Sequence, residues 1–448
     1  MAEIDPDHVS RIALIALQNG TAATLEEAER QIADRSITIL AVGRGHVDRA
    51  WQAAVIAAAE LAARSFGRVD VVTEASEELL LSGPYKGQKL RHALDAIGVH
   101  RVLAVAESDI IVVIGDDSIG PRAIYAAWDG WTASAALKPL AAGGERDTSN
   151  VIAAITAAAL AISEAFHYLL DEPGSDAGYR TVSINLWGED IQPAAPLRFA
   201  PSAWWLVGLG HLGQAYAFTI AHLPYRESGA VEVVVQDTDV TSFANHSTSI
   251  LTPRGTTVMK TRIVASTLDR AGLRTRIIER RMSDQTRPDP DEVGHLALIG
   301  VDNLATRRLI SSMGWARTID AGLGHRAANY GAITIHSFPS AKRSDEIEAW
   351  RDDHEVEERI PLVPGFQDLE SRFDHCGVIE LAGKAVGVPF VGLIAATLAI
   401  TIAIRENQGA GALPARRFDI KSLDHYEARP SEYRALDVNA VELRNGDE

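Results

Sequence analysis

Trp204-Trp205-Leu206-Val207-Gly208-Leu209-Gly210-His211-Leu212-Gly213 sits near the middle of a 448-residue chain. Four apolar residues run into a turn with three glycines. A helical pattern continues from Gln214 to His222, then a second apolar strand, Val231 to Val235, ending in Gln236-Asp237-Thr238-Asp239-Val240. Strand, glycine turn, helix, strand and acid, in that order, make a nucleotide-binding βαβ unit. The glycines let backbone approach phosphate, the helix N-terminus offers unpaired N–H groups, and an acid after the second strand accepts from ribose hydroxyls. The unit alone does not choose between a mononucleotide and a dinucleotide.

Residues beyond the acid narrow the choice. Asp237-x-Asp239-Val240, then Asn245, Met259-Lys260, and Gly300-Val301-Asp302-Asn303 with Arg307 keep a fixed order over about 70 residues. This series, between residues 200 and 405, resembles the ThiF/MoeB family of ubiquitin-activating-type adenylyltransferases. The resemblance implies a Rossmann-like α/β adenylation fold that uses ATP and Mg²⁺ to activate the C-terminal carboxylate of a small ubiquitin-like protein or a peptide. It implies that Gly208, Gly210 and Gly213 turn over the phosphates, Asp237 takes the ribose, and Lys260 neutralises phosphate charge. Asp302 would hold Mg²⁺ or the attacking carboxylate end, with Asp239, Asn245 and Arg307 around the same pocket. Asp302, Arg307 and Cys376 are the expected catalytic residues.

Each of these residues also has a plainer reading. The glycines suit any tight turn, Lys260 any polar helix start, and Asp302-Asn303 the cap of the next helix. There are departures from the family pattern as well. Its NxxRQ segment would place arginine and glutamine at 248 and 249, where this chain has Thr248 and Ser249. Arg254 is the nearest replacement in sequence. In the family an arginine from the partner's N-terminal helix also reaches the nucleotide, and Arg11 is the candidate here. His211 stands where the family usually has glycine.

Cys376 is the only cysteine, which excludes an intrachain disulfide and a cysteine-cage zinc site. Asp374-His375-Cys376-Gly377-Val378 resembles the family's thiol segment, where cysteine accepts the activated acyl group as a thioester or persulfide link for a conjugating or sulfur-carrier partner. A lone cysteine is also commonly a small buried hydrophobe. The charged segment 340–372 resembles the family's flexible crossover loop, or reads simply as a solvated surface loop.

An internal repeat flanks this unit. The strand Ile37 to Val42 leads into Gly43-Arg44-Gly45-His46-Val47-Asp48-Arg49-Ala50-Trp51, matching Gly208 to Tyr216 in two glycines, the histidine, the alanine and a terminal aromatic. Val69 to Val72 echoes Val231 to Val234, Ile110 to Asp117 echoes Leu296 to Asp302, and Ile155 to Phe166 echoes Ile394 to Arg405. Two pseudo-symmetric halves are therefore expected: N-terminal helices at 1–35, a degenerate Rossmann-like half at 36–170, a linker at 171–200 with a strand about Val182 to Leu186, an adenylation domain at 201–412, and a C-terminal extension at 413–448. In the first half Asp48 stands against Gly213, putting a negative charge where phosphate would lie.

Composition sets outer limits. The chain is 46% hydrophobic with a net charge of −17, so a nucleic-acid partner is not expected. The longest apolar run, Val388 to Ile404, is broken by Pro389, Gly392 and threonines and reads as a buried helix rather than a membrane span. The N-terminus lacks a signal-peptide pattern, so a cytoplasmic setting is expected. A homodimer is allowed, although a fused pseudo-dimer needs no second copy. Two other readings stay open: an NAD(P)-dependent oxidoreductase, which accounts for Gly208 to Asp237 but not for Lys260 and Asp302-Asn303, and a ThiF-like scaffold that has lost catalysis.

Overall fold

The structure, a computed structural model, describes residues 3–43, 48–105, 110–115, 123–139, 147–172, 174–188, 196–351, 360–411, 413–428 and 438–444. The elements of the first half are α1 (Ala13–Gln18), α2 (Leu25–Ala33), β1 (Ser36–Ala41), α3 (Arg49–Ser65), β2 (Arg68–Thr73), α4 (Leu90–Ile97), β3 (His100–Arg101), β4 (Ile111–Ile114), β5 (Ala123–Asp129), β6 (Thr132–Ala136), α5 (Val151–Leu170) and β7 (Val182–Asn185). In the second half β8 (Phe199–Pro201) precedes β9 (Ala203–Val207), α6 (His211–His222), β10 (Glu232–Gln236), α7 (Lys260–Ala271), β11 (Arg274–Ile278) and β12 (Leu296–Ile299). Next come α8 (Leu304–Arg308), β13 (Arg317–Leu323), β14 (Ala332–Phe338), α9 (Pro364–Arg372), α10 (His375–Gly383) and α11 (Pro389–Asn407). The strands β15 (Ala415–Asp419), β16 (His425–Ala428) and β17 (Ala440–Glu442) finish the chain.

The fold is mixed α/β, with two largely parallel sheets of the same topology. The first runs β3-β2-β1-β4-β5-β6-β7 and the second β11-β10-β9-β12-β13-β14-β15-β16. In each, the first five strands are parallel and the remainder antiparallel. Strands such as β9 and β12, buried at every residue, are the continuous apolar runs required where helices cover both faces. Side chains repeat with the topology. The indole N–H of Trp51 donates to the carbonyls of Val42 and Ile114 at the ends of β1 and β4, and the Tyr216 hydroxyl donates to Ile299 at the end of β12.

The two halves meet through helices that are apolar all round. α5 and α11 are each long and apolar enough to cross a membrane, yet both are buried inside the protein over nearly their whole length. They pack on each other and on α3 and α6, and Thr156 Oγ1 lies 2.9 Å from Thr397 Oγ1 across the contact. The reading of Val388 to Ile404 as a buried helix agrees with this.

Several boundaries differ from expectation. The strand expected in the linker, β7, hydrogen-bonds to β6 and closes the edge of the first sheet. The residues expected as an extension enter the second sheet as β15 and β16, and β17 pairs with β8. Sequence separation concealed both pairings, because the partner strands lie outside the local window. Segment 340–351 is not a free loop: Ser344 is buried and bonded to Ser311 and the Arg308 carbonyl, and Trp350 packs on Phe338. Residues 352–359, expected in the same charged loop, lie outside the described residues.

Candidate active site

The crevice forms where the order of the second sheet reverses, beyond the carboxyl ends of β10, β9 and β12. Gly208 adopts φ +80°, and its N–H donates to the Gln236 carbonyl at 2.9 Å. A Cβ there would come within 2.8 Å of Val301 Cγ1; one on Gly213 would lie 2.0 Å from the Gly208 carbonyl oxygen. Gly213 therefore lets α6 pack against the turn. Gly210 is the N-cap of α6 with no side-chain cap, and nothing lies within 4 Å of a Cβ built on it. No side chain caps the first-turn N–H groups of α6, where the positive end of the helix dipole lies.

The first half closes the same position. Its helix α3 begins at Arg49, and Asp48 caps it: Oδ1 accepts from the N–H groups of Ala50, at 2.8 Å, and Trp51, at 3.1 Å. As the N-cap, Asp48 answers to Gly210 rather than to Gly213, the residue matched by simple offset. Its carboxylate occupies the helix N-terminus that an anion would need. The intervening Arg44 to Val47, and Asp116-Asp117 of the repeat, lie outside the described residues.

Asp237 is wired into the second-half turn. Oδ2 accepts from the Leu209 N–H at 2.5 Å and Oδ1 from the Asp239 N–H at 2.7 Å. Lys260, the first residue of α7, extends its ammonium to Asp239 Oδ2 at 2.9 Å. Burial works to raise the Asp239 carboxyl, but Lys260 outweighs it and holds the group below the usual range. Asp302 is exposed after β12, with no hydrogen bond or ion pair from the described residues, while its neighbour Asn303 caps α8 by accepting from the Thr306 N–H. Gly208, Gly210, Gly213, Asp237 and Asp302 thus come after the ends of three adjacent strands, with the Asp239–Lys260 pair beyond Asp237.

Two expected pocket residues are occupied elsewhere. Asn245 Oδ1 accepts from the Ser242 N–H at 2.8 Å in a capping box over the 3-10 turn Phe243–Ser247. Arg307 turns inward. Its guanidinium donates to the Val301 and Ala321 carbonyls and lies 3.3 Å from the buried Asp320, over the ring of Trp350.

At the expected arginine position, Thr248 is buried and packs where a side chain on Gly387 would go. An arginine does enter this region, from the first half: Arg64 of α3 donates to the carbonyls of Ser249 and Thr252 and pairs with Glu60. Arg254 is exposed and unpaired among the described residues. His211, half-buried, turns its ring against Gly392, which has no side chain to obstruct it; desolvation of the ring pushes its pKa down to about 4, so it is neutral.

Residues 4–11 join the 3-10 turn to the cysteine helix. The Arg11 N–H donates to Ser247 Oγ at 3.1 Å, the His8 ring stacks on Phe243, and the Ile4 N–H donates to Asp374 Oδ1 at 3.3 Å. The Arg11 guanidinium is held by the Pro6 carbonyl and Asp7. Asp374 caps α10 by accepting from the Gly377 N–H at 2.7 Å, leaving Cys376 exposed in its first turn. His375 sits 3.3 Å from Glu370.

One contributor left no distinct mark in the sequence. Gln214, fully buried in α6, donates to the Leu209 carbonyl at 3.2 Å and accepts from the Leu251 N–H at 3.0 Å, tying the turn to segment 249–252. A polar residue in a largely apolar helix was the available signal.

Comparison with known proteins agrees with the two-part architecture. A model of the BilD N-terminal domain matches residues 37–186 and one of the BilD C-terminal domain matches residues 200–410. The bacterial E1-like protein BilD of Collimonas sp. (strain OK412) is 35% identical over 429 residues, covering 91% of this chain and 90% of that protein. Solved structures of E. coli MccB, one with SeMet MccA, overlap at a TM-score of 0.33 and 12% identity, covering 51% of this chain and 63% of the MccB chain. SeMet PaaA overlaps at the same score over 51% of this chain and 64% of its own. This chain thus spans less than two thirds of those solved chains. With both halves matched and a curated relative aligned nearly end to end, the chain belongs to the BilD family of bacterial E1-like proteins.

Proposed function

We propose that the chain is an ATP-dependent adenylyltransferase that activates the C-terminal carboxylate of a small ubiquitin-like protein or peptide. The supporting observation is the asymmetry of the two helix N-termini: α6 begins at an uncapped glycine beside Asp237, whereas α3 is stoppered by Asp48. ATP fits the open half in chemical terms. The α6 N–H groups suit phosphate, Asp237 suits ribose hydroxyls, and Lys260, released from Asp239, suits the phosphate chain. Asp302, exposed and unpaired among the described residues, would hold Mg²⁺, an ion that commonly takes one or two carboxylates and completes its shell with water and phosphate. Mg²⁺ would supply charge compensation as pyrophosphate leaves.

In this reading a carboxylate oxygen attacks the α-phosphorus and pyrophosphate departs. The Cys376 thiolate then attacks the acyl carbon and AMP departs. Arg11, whose guanidinium bonds the Pro6 carbonyl and Asp7, is the candidate for the arginine that reaches the nucleotide and would have to leave those partners to do so. Arg307 acts through Asp320 and the turn carbonyls and is a positioning residue. A free, exposed thiol suits a reducing, cytoplasmic setting.

The test is ATP–pyrophosphate exchange in the presence of candidate peptides ending in a free carboxylate. Exchange that requires the peptide and disappears in Asp302→Ala supports the assignment. ATP binding with no exchange for any partner would leave a scaffold, and nicotinamide binding in the crevice an oxidoreductase.

A further inference from the structure

A second cavity, of about 140 Å³, lies between the two halves at the far end of α6 from the glycine turn. The 12 residues of α6 separate the two places by about 18 Å at 1.5 Å per residue. Arg49, Ser82 and Lys86 of the first half line it, with Ser228 and Arg444 from the second-half side. None of its described lining residues is acidic. In a chain with 60 acidic and 43 basic residues, three cations gathered with no carboxylate among the described lining residues run against composition.

Three further features mark the cavity as built for a ligand. Ser82 is only 9% exposed, and its hydroxyl has no hydrogen-bond partner among the described residues. Gly272, at φ +92° where α7 ends, keeps the space clear: a Cβ there would meet Ser228 Oγ at 2.7 Å and Lys86 Nζ at 3.3 Å. The cations are only partly committed. Lys86 Nζ donates to the Ala271 carbonyl at 2.7 Å, Arg49 makes one 3.4 Å bond to the Leu81 carbonyl, and the Arg444 side chain has no partner among the described residues. Partial burial lowers Arg49 and Lys86, and Arg444 adds to both shifts, so the cluster repels itself as it stands. An anion would reverse the sign of that energy.

We propose that this cavity is a binding site for a phosphate group. Arg49, Lys86 and Arg444 supply charge-assisted bonds and Ser82 a hydroxyl donor, so the bound anion fastens the first half to the ends of α6 and α7. The site is independent of the nucleotide crevice and does not rest on the assignment of activity.

Isothermal titration of the full chain with inorganic phosphate, at constant ionic strength, tests it. Saturable binding is expected, weakened at least tenfold in Arg49→Met and in Arg444→Met and within twofold of the parent in Lys260→Ala. Arg444 is exposed and its side chain makes no bond that folding needs, so its variant remains informative if Arg49→Met fails to fold. A parallel titration with glycerol 3-phosphate separates the sources: binding of both ligands indicates the phosphate group of a larger molecule, and binding of inorganic phosphate alone indicates the free ion. Absence of saturable binding, or binding lost in Lys260→Ala and kept in Arg444→Met, would overturn the proposal.

Discussion

The carboxylate of Asp237 accepts a hydrogen bond of 2.5 Å from the backbone N–H of Leu209, so the acid after the second strand also pins the glycine turn. With its other oxygen on the Asp239 N–H, it fixes both walls of the crevice entrance. Asp237→Ala removes both acceptors. ATP affinity is expected to fall more than tenfold, with a loss of about 1–3 kcal/mol in stability from the unsatisfied N–H groups. Titration with ATP and urea unfolding of the same variant check the two parts, and unchanged ATP affinity would contradict the role.

The two helix N-termini predict opposite responses. Asp48→Ala should cost about 0.5–2 kcal/mol, the usual value of a lost N-cap, without adding a second nucleotide site. Gly213→Ala forces a methyl to 2.0 Å from a backbone carbonyl and should cost about 3 kcal/mol or more. Chemical denaturation measures both. An ATP stoichiometry of two in Asp48→Ala would show that Asp48 alone had closed the first half.

Two buried carboxyls give the stability an unusual pH dependence. Burial raises Asp320 from 3.8 to about 6 against the pull of Arg307, and raises Glu406 from 4.5 to about 7 against that of Arg317. The folded state binds these protons more tightly than the unfolded chain does. Their contribution is therefore fully present below about pH 4 and is lost as pH rises through about 6 to 7. Asp320→Asn, which keeps an acceptor for Arg307, should flatten the profile between about pH 4 and 6. Urea unfolding at a series of pH values reads this directly; a variant profile parallel to the parent would contradict it.

Cys376 is exposed in the first turn of α10 and carries no packing load. Cys376→Ser should leave the melting temperature and pyrophosphate exchange within experimental scatter and abolish any thiol-sensitive adduct with the acyl substrate. Gel analysis with and without reductant, beside an exchange assay, separates these steps. An adduct that persists in the variant would exclude Cys376 as acceptor.

The placement of the crevice residues was legible in sequence because it is local. A glycine turn, an acid at the end of the next strand and Asp302 after a third are set by covalent order once the strands lie side by side. The repeat was legible too, since Gly43 and Gly208, and Trp51 and Tyr216, meet the same backbone demands in each half. Tertiary structure decided what depends on packing between distant segments. Arg307 belongs to Asp320 because burial leaves that carboxylate in need of a cation. Asn245 is consumed by its own turn, Asp48 answers to Gly210 because α3 starts later than α6, and β7, β15 and β16 complete sheets far from them in sequence. The placing of Arg64 against Ser249, and of Arg49, Lys86 and Arg444 around one cavity, arises only when α5 and α11 bring the halves together. Hydrophobic burial drives that docking without regard to direction, so the polar neighbours it creates leave no periodic trace along the chain.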